Sequence, residues 1–372
     1  MPQTVRTQAV DLLEKLVSIP SPSRYETRAA VYLAGWLNDH GFDARVDEAG
    51  NAVGVRGDGQ REILLLGHID TFPGDIPVRR QGDLLYGRGA VDAKGPLCAF
   101  AAAAAQVKPP AGWRVTVVGA VEEEAATSKG ARHILSQRLD SPPAYCIIGE
   151  PSNWDRVTLG YKGRLLLDID LTAAFSHSAG AQKLPAEQAV DLWRQVEQFC
   201  ESYNRERQAA SAFSRLEPSL RHIASRDEGA YGRVEMSLGF RLPLGLSPDR
   251  LEAHLRRLFD HLPPDVTARL HFSGGELAYK SDKSNPLVGG FLRSIRQAGG
   301  VPRFVVKTGT ADMNVVGPHW PDTPMVAYGP GDSSLDHTPN EHINLTEYMK
   351  AIEVLQNTLR RLMGGQAEEA TQ

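Results

Sequence analysis

EILLLGHID, Glu62 to Asp70, is the stretch on which the reading of this chain turns. Its apolar run, Ile63 to Leu66, reads as a buried strand running into a polar end. WRVTVVGAV (113–121) and AYCIIGE (144–150) repeat the pattern. Between the first two lies PLCAFAAAAAQV (96–107), which reads as a helix packed closely on a sheet. Alanine suits that role because it has high helix propensity and little bulk. Strands alternating with helices imply an α/β sheet with helices on its faces.

Working outward, Val5, Leu12 and Leu16 sit at helical spacing, and SIPSPS breaks that helix. A second helix is expected from Ser23, with Ser23 and Glu26 as a capping box and Gly41 at its end. Ala44 and Val46, then Val53 and Val55, alternate like a strand pair. GDLLYGRGAVDAKG (82–95) reads as a glycine-rich turn region. The character changes near Tyr161. RLLLDIDLTA reads as a half-buried strand, and AEQAVDLWRQVEQFCESY as an amphipathic helix with Val190, Trp193, Val196 and Phe199 on one side. RHIASR and RVEMSLGFRL read as strands, SPDRLEAHLRRLFDHL as a helix capped by Ser247, and VTARLHFSG as a last strand. That order suggests a small ferredoxin-like α+β domain over 161–279, inserted in a larger domain of 1–160 and 280–372.

The 372 residues leave room for two such domains, and 41% hydrophobic with 23% charged residues is ordinary for a soluble globular protein. A net charge of −4 argues against a nucleic-acid surface. No apolar run approaches a membrane span, and MPQTVRTQAV lacks the apolar core of a secretory signal. Cys98, Cys146 and Cys200 lie far apart and read as buried hydrophobes in a reducing compartment. The expectation is a cytoplasmic enzyme or binding protein.

Polar residues collect just after the buried strands, where open α/β sheets bind ligands. GHID offers His68, with Asp70 two residues on to hold its second ring nitrogen. Asp92 lies in the loop GRGAVDAKG, where the plainer role is a helix cap. The loop's glycines match neither the phosphate-loop nor the dinucleotide pattern. VEEEAATSKGA carries Glu122, Glu123 and Glu124, whose plainer role is an acidic start to the next helix. Glu150 follows another apolar strand. GPGDSSLDHTPNEHINL carries Asp332, Asp336, His337, Glu341 and His342, otherwise a polar loop before a helix capped by Asn344. Each item is weak alone. Together they make a carboxylate-rich dinuclear site suited to zinc, cobalt or manganese, and two divalent ions would offset the repulsion among the acids.

The ordered pieces GHIDT, GRGAVDAKGPL, VEEEAATSKGA, GEPS, FSHSA and SSLDHTPNEHI resemble the M20 metallopeptidase family, which includes ArgE/DapE-type deacylases, aminoacylases and carboxypeptidases. The resemblance covers nearly the whole chain. It implies a zinc-peptidase-like catalytic domain and makes the insert a lid and dimerisation domain. By position it assigns His68, Asp92 and Glu150 to one ion, and Asp92, Glu124 and His337 to another, with Asp92 bridging. It makes Glu123 the general base, which residue chemistry alone does not separate from Glu124, and Asp70 the carboxylate behind His68. It implies amide hydrolysis with two divalent ions per subunit, zinc first and cobalt next. His177 of FSHSA would serve the partner subunit of a homodimer, although the family's Gly-x-Asn-Ala is here replaced by LPAEQAV. Within the family, GAVEEEAATSKGAR, KTGTADMN and YGPGDSSLDHTPNE are most similar to hydrolases that release lysine or ornithine from the γ-glutamyl terminus of an acidic amino-group carrier protein. Arg241 would then grip the substrate α-carboxylate, with Lys307, Thr308, Gly309 and Thr310 lining its pocket. The alternatives are an N-acetylornithine deacetylase, an N-succinyl-diaminopimelate desuccinylase, a dipeptidase, or an inactive metal-binding protein.

Overall fold

A computed structural model of the chain describes residues 3–174, 183–260, 262–263 and 266–364. The chain divides into two compact units, one of Met1–Gly160, Ser281–Val306 and Ala311–Gln372, the other of Tyr161–Lys280 and Lys307–Thr310. No helix among the described residues is long and apolar enough to cross a membrane.

The first unit is built on a mixed sheet. Seven of its strands run in the order Asp43–Val46, Ala52–Arg56, Trp113–Ala120, Arg61–His68, Tyr145–Gly149, Met325–Ala327 and Arg156–Tyr161, and Arg303–Lys307 also pairs with the last of these. Four of them, from Trp113–Ala120 to Met325–Ala327, are mutually parallel, and antiparallel strands flank them. Ile63 to Leu66 are fully buried, as a strand covered on both faces requires. The helix Lys94–Ala105 is buried along almost its whole length, so its alanines form an interior surface and not a solvent-facing stripe. Helices Gln3–Val17, Thr27–Asp39, Pro286–Gln297 and Leu345–Leu362 contribute to the same hydrophobic core.

Two local readings change. The helix expected from Ser23 starts at Thr27, with Glu26 at its cap position and no side-chain cap bond. The region read as a glycine-rich turn contains a strand, Leu84–Tyr86, which forms a three-stranded sheet with Arg79–Gln81 before it and the later His342–Asn344. Its register sets Leu84 opposite Asn344 and Tyr86 opposite His342. The strands are only three residues long, too short for a period-two pattern to announce them.

The second unit is a four-stranded antiparallel sheet in the order Glu217–Glu228, Tyr231–Leu242, Gly163–Ala174 and Val266–Glu276. Helices Pro185–Glu206 and Pro248–Phe259 share a hydrophobic core with it. Ser247 caps the second helix by accepting the Arg250 N–H. In the first helix the buried stripe is Ala189, Leu192, Val196 and Cys200, while Val190 is exposed. Trp193 and Phe199 are half-buried and pack against this core, so of the expected apolar face Val190 alone turns to solvent.

The parallel strands are pressed against the alanine helix. A Cβ placed on Gly149 would stand 2.9 Å from the Gly67 Cα and 2.9 Å from the Phe100 ring. Neither neighbour has room to yield. Gly149→Ala should therefore destabilise the first unit by about 1–3 kcal/mol through overpacking. Denaturant titration checks this, and an unchanged midpoint would show that the strand–helix packing is looser than described.

Candidate active site

The register of the parallel strands assembles the site. Gly67 and His68 stand opposite Gly119 and Ala120 on one side, and Gly67 opposite Gly149 on the other. Residues just beyond these pairs emerge along one carboxyl edge. They are Glu122 to Glu124 and Glu150, and they join His68 of the last pair. The loops 87–93 and 331–341 contribute Asp92 and His337.

Asp92 lies at the centre. Its Oδ1 is 3.1 Å from His68 Nε2, and its Oδ2 is 3.2 Å from His337 Nε2. Glu150 Oε1 lies 3.9 Å from His68 Nε2, and Glu124 Oε1 lies 3.0 Å from His337 Nε2. The Phe72 ring stacks on His337 with centroids 4.2 Å apart. Asp92 is not a helix cap: the following helix begins at Lys94 with Ala93 at the cap position. Nor do the glutamates start a helix, since the next one begins at Lys129.

Asp70 is fully buried and organises the acidic loop. Its carboxylate accepts the N–H of Glu123 at 3.1 Å, the N–H of Glu124 at 3.0 Å and the Ser23 hydroxyl at 2.7 Å. The same carboxylate lies 3.4 Å from His68 Nδ1, which is also 3.1 Å from the Asp70 carbonyl. His68 Nδ1 is thereby engaged and Nε2 faces Asp92 and Glu150, the arrangement of a metal-binding imidazole. Ser23 and Glu26 are a capping pair in sequence only. Glu26 accepts the Glu122 N–H at 3.1 Å, so both residues brace the acidic loop. Glu122 itself turns to Thr127 at 2.9 Å and Lys129 at 3.7 Å. Lys94 is another buried support that sequence reasoning missed. It donates to the carbonyls of Leu16 and Ile19 at 3.1 and 2.7 Å, and burial lowers its pKa to about 8.

The electrostatics follow from burial and charge. Desolvation raises Glu123 well above the carboxylate range; nearby His68 opposes this, while Glu150, Asp312 and Glu124 add to it. Burial also lifts Glu124 against its hydrogen bond with His337. For Asp92 burial is outweighed by the hydrogen bonds with His337 and His68, and its pKa falls. Burial works to lower His68, yet Asp70, Asp92 and the charge of Glu123 raise it well above the ordinary value. The hydrogen bonds of Asp92 and Glu124 raise His337 to about 10.

Two donor groups fit a divalent ion each: His68, Asp92 and Glu150, and Asp92, Glu124 and His337, with donor atoms within 4.8 Å of one another in each. Donors held tetrahedrally at about 2.1 Å from one ion stand about 3.4 Å apart. The four histidine–carboxylate contacts, from 3.0 to 3.9 Å, bracket that spacing. Imidazole nitrogen with carboxylate oxygen is the donor chemistry of zinc and its neighbours.

Of the other sequence candidates, His177 lies outside the described residues. Arg241 and the 307–310 segment belong to the second unit. There Arg241 donates to the Thr310 hydroxyl at 2.9 Å, Thr310 donates to the Lys162 carbonyl at 3.0 Å, and the Lys307 carbonyl accepts the Lys162 N–H at 3.2 Å. Lys162, unnoticed in the sequence, is buried and pairs with Glu217 at 2.6 Å.

The sequence model of the family described as "Peptidase family M20/M25/M40" matches residues 64–361. The chain is 44% identical over 361 residues to the LysW-lysine hydrolase of Deinococcus radiodurans, covering 96% of this chain and 98% of that protein. It is 29% identical over 369 residues to the LysW-lysine/LysW-ornithine hydrolase of Saccharolobus islandicus, covering 95% and 97%. In fold it is similar to the M20 family metallo-carboxypeptidase Sso-CP2 from Sulfolobus solfataricus, with a TM-score of 0.78 at 18% identity over 97% of this chain and 99% of that one. The chain belongs to peptidase family M20/M25/M40 and is a metal-dependent hydrolase.

Proposed function

We propose that the chain hydrolyses the amide bond joining lysine, or ornithine, to the γ-glutamyl terminus of an acidic amino-group carrier protein. The observation that carries the hydrolytic chemistry is Asp92, whose two carboxylate oxygens each face a separate imidazole, with the half-buried Glu123 in the same acidic loop as Glu124. The choice of substrate leans on the 44% likeness to the LysW-lysine hydrolase over almost the full length of both chains.

In this reading His68, Asp92 and Glu150 would hold one ion and Asp92, Glu124 and His337 the other, with zinc the proposed metal and cobalt a working substitute. When bound, such ions supply Lewis-acid polarisation of the scissile carbonyl and a more acidic water. Glu123 takes the water proton and passes one to the leaving amine nitrogen. Its burial suits that task, because a desolvated carboxylate accepts a proton readily. Asp70 fixes the Glu123 and Glu124 backbone, so neither group has to be ordered during the reaction. Arg241 is proposed to bind the substrate α-carboxylate, near Thr310 and the rest of KTGT. The second unit is proposed as a lid that pairs two copies of the chain, with His177 acting in the partner copy.

The direct test is a hydrolysis panel on metal-reconstituted protein, comparing carrier-linked lysine and ornithine with N-acetylornithine, N-succinyl-diaminopimelate and dipeptides. The carrier-linked substrates should be preferred. Glu123→Gln should keep its metal and lose about 10²–10⁴-fold in kcat. Preference for a small acyl substrate would overturn the substrate assignment, and an active Glu123→Gln would overturn the role of Glu123.

The histidines make opposite demands with and without metal. His337 is raised from 6.5 to about 10, so its interactions stabilise the metal-stripped protein fully below pH 6.5 and are lost as pH rises towards 10. Metal needs the neutral rings, so its affinity should rise over the same range and binding should release protons. Calorimetry in buffers of different ionisation enthalpy, with melting curves of stripped and loaded protein, checks both signs. Metal binding without proton release would contradict the ligand assignment.

The trans role of His177 is tested by mixing subunits. His177→Ala and Glu123→Gln chains, each inactive alone, should recover part of the activity when co-refolded. No recovery in a dimeric mixture would remove His177 from the partner's site.

A further inference from the structure

The Asp92 loop is held by a carboxylate that the proposed chemistry does not use. Glu341 is 0% exposed. Its Oε1 accepts the N–H of Val91 at 2.9 Å and of Asp92 at 3.1 Å. Its Oε2 accepts from Arg88 at 2.9 Å. Arg88 also donates to the Thr338 carbonyl at 3.2 Å and the Gly74 carbonyl at 2.9 Å. The Gly87 N–H donates to the Glu341 carbonyl at 3.3 Å. One side chain and its arginine thus join residues 87–92, which carry Asp92, to residues 337–341, which carry His337. The pairing of Leu84–Tyr86 with His342–Asn344 leads both segments into this joint.

The arrangement parallels Asp70. Each of the two buried carboxylates accepts two consecutive backbone N–H groups, and each pair includes a candidate ligand's own amide. Asp70 ties the His68 strand to the Glu123–Glu124 loop. Glu341 ties the His337 loop to the Asp92 loop. Asp92 has one oxygen for each imidazole, so a small movement of its backbone misplaces both oxygens together.

We propose that Glu341 is a positioning residue that sets the Asp92 carboxylate between the two donor groups, with Arg88 as its charge partner. The inference rests on the dinuclear reading given above. Gln at this position is nearly isosteric yet has a single acceptor oxygen. If that oxygen faces the two amides, the NH₂ group meets the Arg88 donor. If it faces Arg88, the NH₂ group meets the amides. Either way a donor opposes a donor, and the loop must shift.

The test is a cobalt titration of metal-stripped, full-length wild type and Glu341→Gln. It follows visible absorption and competition with a chelator, and melting of the stripped proteins is recorded alongside. The wild type should bind two ions per chain. Glu341→Gln should stay folded, lose about 10–100-fold in cobalt affinity and show altered absorption bands. A folded Glu341→Gln that matches wild type in affinity and spectrum, even with a lower melting temperature, would overturn the inference and leave Glu341 as a fold tether. If Glu341→Gln is recovered unfolded, Arg88→Lys takes its place. It keeps the charge and the two amide bonds but not the forked contacts. A several-fold loss of cobalt affinity with changed bands supports the proposal, and no change overturns it. A wild type that binds no cobalt would overturn the dinuclear reading itself, and this inference with it.

Discussion

Repulsion among buried carboxylates is the constraint on which this structure depends. Asp70, Asp92, Glu123, Glu124 and Glu150 meet at one edge of the sheet, shielded from most solvent. Two imidazolium rings among them would still leave three negative charges uncompensated. Burial magnifies such a deficit, because a low dielectric strengthens repulsion and removes the water that would solvate it. Two divalent ions bound to neutral rings would leave one. The raised pKa values of Glu123, His68 and His337 are the protein's other way to relieve the same excess, by holding protons.

The backbone is arranged to make that crowding persistent. Parallel strands in register deliver His68, the glutamate loop and Glu150 to a common edge. Asp70 and Glu341 then accept backbone amides, which ties the loops that carry Glu123, Glu124 and Asp92 in place. Glu122 and His337 both sit at φ 60°, a left-handed conformation uncommon for side-chain-bearing residues. Such local cost is tolerated where the surrounding contacts over-determine the geometry.

Much of this was legible in the sequence. Strand existence followed from apolar runs such as Ile63 to Leu66, and strand ends from the polar residues that stop them. The metal-type side chains were legible as an ordered set and only weakly as individuals. What stayed hidden was long-range. Ser23 and Glu26 have the spacing of a helix cap, yet their partners are Asp70 and Glu122, far along the chain. Glu341 was visible only as one acid in a polar loop, because its partners lie about 250 residues away. The short strands 79–81, 84–86 and 342–344 owe their existence to each other and not to local propensity. The helix stripe Ala189, Leu192, Val196 and Cys200 shows the same limit: Trp193, Val196 and Phe199 pack on the core as expected, but Val190 is exposed, and the small buried Ala189 and Cys200 did not stand out in the sequence.

The most direct measurement is anomalous scattering from crystals of the metal-loaded protein, collected at the metal absorption edge. The account expects two peaks per chain that share the Asp92 carboxylate, one beside His68 and Glu150 and the other beside Glu124 and His337. A single peak, or peaks away from Asp92, would contradict it, because the charge excess at this edge would then have to be relieved by protons instead of by a pair of ions.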